Sequence, residues 1–72
     1  MTRNDIAKVW LTNDAVWIEL HNGQRGVERF TDYPRLLNAD ESQRANYSLS
    51  HFGIHWPKLN EDLSFDGFFY KS

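Results

Sequence analysis

Ile6-Ala7-Lys8-Val9-Trp10-Leu11-Thr12-Asn13-Asp14-Ala15-Val16-Trp17-Ile18-Glu19-Leu20-His21-Asn22-Gly23-Gln24-Arg25-Gly26-Val27-Glu28-Arg29-Phe30 is the stretch that decides the fold. It holds three apolar-rich runs separated by Asn13-Asp14 and Asn22-Gly23, and Asn-Gly is the favoured dipeptide of a tight β-hairpin turn. This predicts a three-stranded antiparallel meander over residues 6–30. With both turns as two-residue loops, Leu11 faces Val16, Trp10 faces Trp17, Val9 faces Ile18 and Lys8 faces Glu19. In the second hairpin His21 faces Gln24, Ile18 faces Val27 and Trp17 faces Glu28.

Because side chains alternate across a strand, this register gathers Ala7, Val9, Leu11, Val16, Ile18, Leu20 and Val27 on one face, the expected core face. The other carries Ile6, Lys8, Trp10, Trp17, Glu19, His21 and Glu28, with a Lys8–Glu19 ion pair across the strands. A one-residue slip would exchange the faces. Trp10 and Trp17 thus land on the nominally polar side. The expected cover for them is the C-terminal aromatic group Phe65, Phe68, Phe69 and Tyr70; without that cover the pair becomes an interaction surface.

Beyond Phe30 the pattern turns helical. Pro34 suits a first helical position in Thr31–Leu37. Asp40 followed by Gln43 predicts a capping box opening a second helix that runs to about Leu49, with Ala45 and Leu49 on one face. His51–Trp56 alternates, so a short strand near 51–56 is expected with Phe52, Ile54 and Trp56 inward and His51, Gly53 and His55 outward, ended by Pro57. A last short helix capped by Ser64 would carry Phe65, Phe68 and Phe69. The expected class is α+β: the meander packed against a mixed helical half with that additional strand, forming a single domain over 1–72.

A chain of 72 residues closes one hydrophobic core, and a core of this size rarely supplies more than ~3–5 kcal/mol. Eleven aromatic residues (three Trp, three Tyr, five Phe) are the means to fill it. There is no cysteine, hence no disulfide and no thiolate metal site. The N-terminal residues are polar and no apolar run approaches the ~20 residues of a membrane span, so the expected setting is the cytoplasm, away from membranes. The net charge is −2 with basic residues spread along the chain, which disfavours direct nucleic-acid binding unless folding gathers Arg25, Arg29, Arg35 and Arg44.

Three constellations carry potential chemistry. His51 and His55, four apart with Glu61 and Asp62 nearby, suggest a metal. On a strand, however, the two histidines stand ~13 Å apart, too far for one ion, so no metal or other cofactor is expected. His55 oriented by Glu61 or Asp62 would suit acid-base chemistry, but no nucleophile motif accompanies it, and a buried histidine hydrogen-bonded beside Trp56 is expected instead. Arg35, Arg44, Glu61 and Asp62 suggest an ion-pair network tying the helical half to the segment after Pro57; arginines left without carboxylates would form an anion pocket.

The pattern Tyr33-Pro34-Arg35-Leu36, Gln43-Arg44, Gly53-Ile54-His55-Trp56-Pro57 and Asn60-Glu61-Asp62-Leu63-Ser64 resembles the DUF2442 family of small bacterial proteins, over nearly the whole chain. Relatives usually read Asp-Glu-Asp where this chain has Asn60-Glu61-Asp62. The resemblance implies an α+β domain without an established function. It also implies an operon context: some relatives are joined to a helix-turn-helix domain, and many sit beside another small protein. The expected function is therefore protein–protein interaction or antitoxin-like regulation with a partner encoded nearby. Trp10, Trp17 and Trp56 are the candidate interaction residues. The alternative is an enzyme or anion-binding domain centred on His55, Arg35 and Arg44.

Overall fold

Strands β1 (Ile6–Leu11), β2 (Ala15–Leu20) and β3 (Arg25–Arg29) pair antiparallel in that order in the computed structural model of the chain, which describes residues 1–70. Residues 71 and 72, the end of the domain expected over 1–72, lie outside the described residues. The first hairpin has the expected register, Trp10 opposite Trp17, Val9 opposite Ile18 and Lys8 opposite Glu19. The Thr12 amide closes its two-residue loop on the Ala15 carbonyl at 2.9 Å.

The second hairpin is one residue out from the expectation: Trp17 lies opposite Val27, Ile18 opposite Gly26 and Val16 opposite Glu28. Its loop has three residues, because Leu20 N–H bonds to Gln24 O at 2.8 Å and Gly23 N–H to Leu20 O at 2.9 Å. The Asn22 side chain accepts from the Gln24 amide at 2.9 Å, and Gly23 takes φ +88°. That is a turn followed by a left-handed residue, which glycine adopts without steric penalty. Val27 consequently moves to the outer face while Gly26 and Glu28 turn inward. A bulge between Ile6 and Lys8 makes a second exchange: it re-aims Ile6, opposite Leu20, toward the core and leaves Ala7 exposed.

Helix α1 (Pro34–Leu37) starts at the expected proline. In α2 (Glu41–Ala45) the expected capping box is present, with Asp40 Oδ1 accepting from Gln43 N–H at 2.8 Å and Gln43 Oε1 accepting from Asp40 N–H at 2.9 Å. Its helix stops at Ala45 rather than near Leu49, because Ser48–Leu49 form β4 against β5 (Gly53–Trp56). Strand β6 (Glu61–Ser64) then completes a second antiparallel sheet, β4-β5-β6, in a segment that carried no strand expectation. A turn of 3-10 helix at Asp66–Phe68 replaces the last helix, with Ser64 Oγ accepting from Gly67 N–H at 3.1 Å.

One buried cluster joins these parts: Val16 and Ile18 from β2, Phe30, Leu36 of α1, Ile54 and Trp56 of β5, Leu63 of β6, and Phe65 and Phe68. Burying each such side chain contributes ~1.5–3 kcal/mol, so aromatic rings compensate for the short chain. Phe52, expected inward, is 63 % exposed; residues 51 and 52 form a bend rather than strand, and alternation there has no sheet to refer to.

Candidate functional site

The outer face of the first sheet is built in rows set by the register. Lys8, Glu19 and Arg25 make one row; Trp10, Trp17 and Val27 make the next. The indoles stack with centroids 5.9 Å apart and planes 8° from parallel. Arg25 places its guanidinium 5.6 Å from the Trp10 ring centroid, a cation–π distance, while its Nε donates to Glu19 Oε1 at 2.8 Å. Lys8 Nζ stands farther off, 4.0 Å from Glu19 Oε2. The Arg25 hydrogen bond, with the Lys8 charge beside it, holds the Glu19 carboxyl below the ordinary carboxylate range.

The C-terminal aromatics do not cover this face, contrary to expectation. Phe65 and Phe68 are in the core and Phe69 packs against it, while Tyr70 is largely exposed. Gly26 explains where they went: without a side chain, it lets Phe68 Cβ and Phe69 Cζ come within 2.8 and 2.9 Å of its missing Cβ position, on the inner side of β3. Trp10 and Trp17 remain half-buried, sheltered by each other and by Arg25. A hollow of about 590 Å³ beside them is lined by Lys8, Val9, Trp10 and Arg25. The third candidate, Trp56, is no surface residue at all: it is fully buried and its indole N–H is satisfied by Arg44 O.

The polar candidates separate into three places. Arg35 Nη1 lies 3.8 Å from Glu61 Oε2 and donates to Asn60 O at 2.9 Å. Arg44 goes elsewhere: Nε donates to Leu36 O at 2.8 Å and Nη2 to Leu37 O at 2.9 Å, closing the end of α1, with the guanidinium 4.4 Å from the Phe30 ring centroid. Asp62 faces His55 across β5 and β6, with His55 Nδ1 and Asp62 Oδ1 2.7 Å apart. The expected four-residue network is thus an Arg35–Glu61 contact, an Arg44 cap and a His55–Asp62 pair. His55, expected buried beside Trp56, is 37 % exposed on the outer side of the second sheet. Among the described residues no group of three His, Asp or Glu could hold a metal ion.

Two contributors escaped sequence reading. Arg25 completes the tryptophan stack, and Glu28 accepts a hydrogen bond from the Tyr33 hydroxyl on the inner side of β3. Both follow from the three-residue loop, whose only sequence signal is Gly23 at its third position. Burial and the Glu28 carboxylate push the Tyr33 hydroxyl well above the ordinary tyrosine range.

The sequence model of the family described as "Protein of unknown function (DUF2442)" matches residues 6–72. No curated protein and no solved structure matches the chain. No helix among the described residues is long and apolar enough to cross a membrane.

Proposed function

This chain belongs to the DUF2442 family, and from that premise we propose that it is a protein-recognition module. In this reading it is an antitoxin-like, cytoplasmic regulatory partner of a second small protein encoded beside it. The observation that carries the proposal is the Trp10–Trp17 stack on the outer face of the first sheet, left uncovered by Phe65, Phe68 and Phe69, which pack in or against the core. Paired tryptophans flanked by an arginine are the residue types enriched where protein interfaces concentrate their binding energy.

The same face gathers Lys8, Arg25 and Arg29, which raises single-stranded nucleic acid as a competing ligand. Such ligands need free ring faces on which bases stack. Here one face of each indole meets the other indole and Arg25 lies over Trp10, so the stack already occupies ring faces that a base would need. Glu19 also places a carboxylate in the middle of the basic row. An enzyme or anion site centred on His55, Arg35 and Arg44 has weaker support, because Arg44 spends its nitrogens on carbonyls and Arg35 contacts Glu61 and Asn60.

The test is co-purification of the tagged chain with the adjacent gene product, wild type against Trp17→Thr, with melting temperatures of both baits measured. A complex that weakens at least about tenfold in a variant that still melts cooperatively is the expected result. No complex, or one indifferent to Trp17, would overturn the proposal.

A further inference from the structure

We infer that the free edge of β1 is a strand-addition site for an extended protein segment carrying a carboxylate opposite Lys8 and an aromatic side chain opposite Trp10. This rests on the protein-recognition reading and says how recognition is made.

β1 is terminal in its sheet, with β2 as its one neighbour. The Thr12 amide donates to Ala15 O, so Thr12 and Ala15 form a hydrogen-bonded pair. Such pairs alternate along an antiparallel ladder. Trp10–Trp17 and Lys8–Glu19 are therefore hydrogen-bonded, and Val9–Ile18 and Leu11–Val16 are not. The N–H and C=O groups of Val9 and Leu11 consequently point away from β2. Among the described residues neither residue makes a main-chain bond elsewhere. An unpaired row of this kind is a template for another strand, and the hollow lined by Lys8, Val9, Trp10 and Arg25 lies alongside it.

Charge selects the occupant. The Lys8 side chain is 66 % exposed and its ammonium is 4.0 Å from a carboxylate that Arg25 already engages at 2.8 Å, so its charge is poorly matched within the chain. Cross-strand neighbours stand ~4.5–5.5 Å apart at Cβ, within reach of an incoming carboxylate. The chain contains its own template for the fit: on the other side of β1, β2 sets Glu19 against Lys8 and Trp17 against Trp10 through Trp17-Ile18-Glu19. An antiparallel newcomer with the same aromatic–any–acidic order reproduces both contacts. The bulge at Ala7 limits the usable edge to Lys8–Leu11 and so fixes the register of whatever binds.

The probe is a blocked heptapeptide, Thr-Val-Trp-Val-Glu-Val-Thr, and its counterpart with Lys in place of Glu, titrated into isotope-labelled protein while amide exchange is followed. Free protein should exchange Val9 and Leu11 amides faster than Lys8 and Trp10 amides. The acidic peptide should bind at least about tenfold tighter than the basic one and slow exchange at Val9 and Leu11, and the preference should reverse in Lys8→Glu. Lack of binding by either peptide, or equal binding of the two, would overturn the inference. So would protection of Val9 that grows with protein concentration alone, which marks a second copy as the occupant, or protection by a thymidine oligonucleotide in place of peptide. If the adjacent gene product binds and Val9 and Leu11 stay unprotected in that complex, the edge is excluded while protein recognition stands.

Discussion

The indole N–H of Trp56 donates to the main-chain carbonyl oxygen of Arg44 across 2.8 Å, tying the buried end of β5 to the last turn of α2. Trp56→Phe keeps an aromatic ring but leaves that part-buried carbonyl without its donor, at a cost of about 1–3 kcal/mol. Trp56→Ala adds a cavity and costs about 3–5 kcal/mol, comparable with the whole stability expected of such a core. Urea denaturation followed by circular dichroism should show a weakened, still cooperative transition for the first variant and little folded baseline for the second.

Tyr33 and Glu28 give stability an alkaline limit. The folded state holds the Tyr33 proton more tightly than the unfolded chain does, because burial and the Glu28 carboxylate disfavour the phenolate. Stabilisation from this group is therefore complete below the unfolded tyrosine value of about 10 and is lost as pH rises above it. Tyr33→Phe should cost about 1–3 kcal/mol at neutral pH by leaving the buried carboxylate one donor short. It should also flatten the decline of stability above pH ~10. Melting curves from pH 7 to 11 for both proteins check the sign; an equally steep alkaline decline in the variant would count against the assignment.

Gly53 is a packing requirement. A Cβ there would collide with the main-chain carbonyl oxygen of Leu63 on the adjacent strand, and a backbone atom held in a ladder cannot step aside as a flexible side chain can. Gly53→Ala should cost about 3 kcal/mol or more, at or beyond the upper end of overpacking penalties. Thermal unfolding measures it, and a loss below about 1 kcal/mol would show that β5 and β6 can part at no great cost.

Arg44 tests whether this cluster is architecture. Its fork spans the Leu36 and Leu37 carbonyls at the end of α1 while its plane lies over Phe30, and lysine cannot reproduce that geometry. Arg44→Lys should lose about 1–2 kcal/mol although the charge is kept. A stability unchanged by the substitution would free Arg44 for an anion-binding role.

The parts of this architecture governed by local chemistry were legible in the sequence. Pro34 at the start of α1, the Asp40–Gln43 capping box and the first hairpin with its Trp10–Trp17 pair all depend on residues a few positions apart. The second hairpin was not, because Asn22-Gly23 serves either as a two-residue turn or as the end of a three-residue one, and the choice depends on which side of β3 the core needs. Glu28 inside and Val27 outside contradict simple hydrophobic sorting; they follow from Gly26, the one residue small enough to admit Phe68. β6 was illegible for another reason: Glu61-Asp62-Leu63-Ser64 has weak strand propensity and is held by pairing with β5. For the site, the tryptophan face could be derived but its cover could not, since that turned on where distant phenylalanines packed. The candidate arginines and carboxylates were read as one group where the fold keeps three.

The left-handed Gly23 also decides which side of β3 meets the core. The loop it completes is a counter with two settings: with three residues, Glu28 meets Tyr33 and Val27 joins the tryptophans, and with two, every side chain of β3 would trade places. Drawing His21 into the ladder opposite Gln24, with no change of sequence, would thus turn a strand inside out without altering any residue in it.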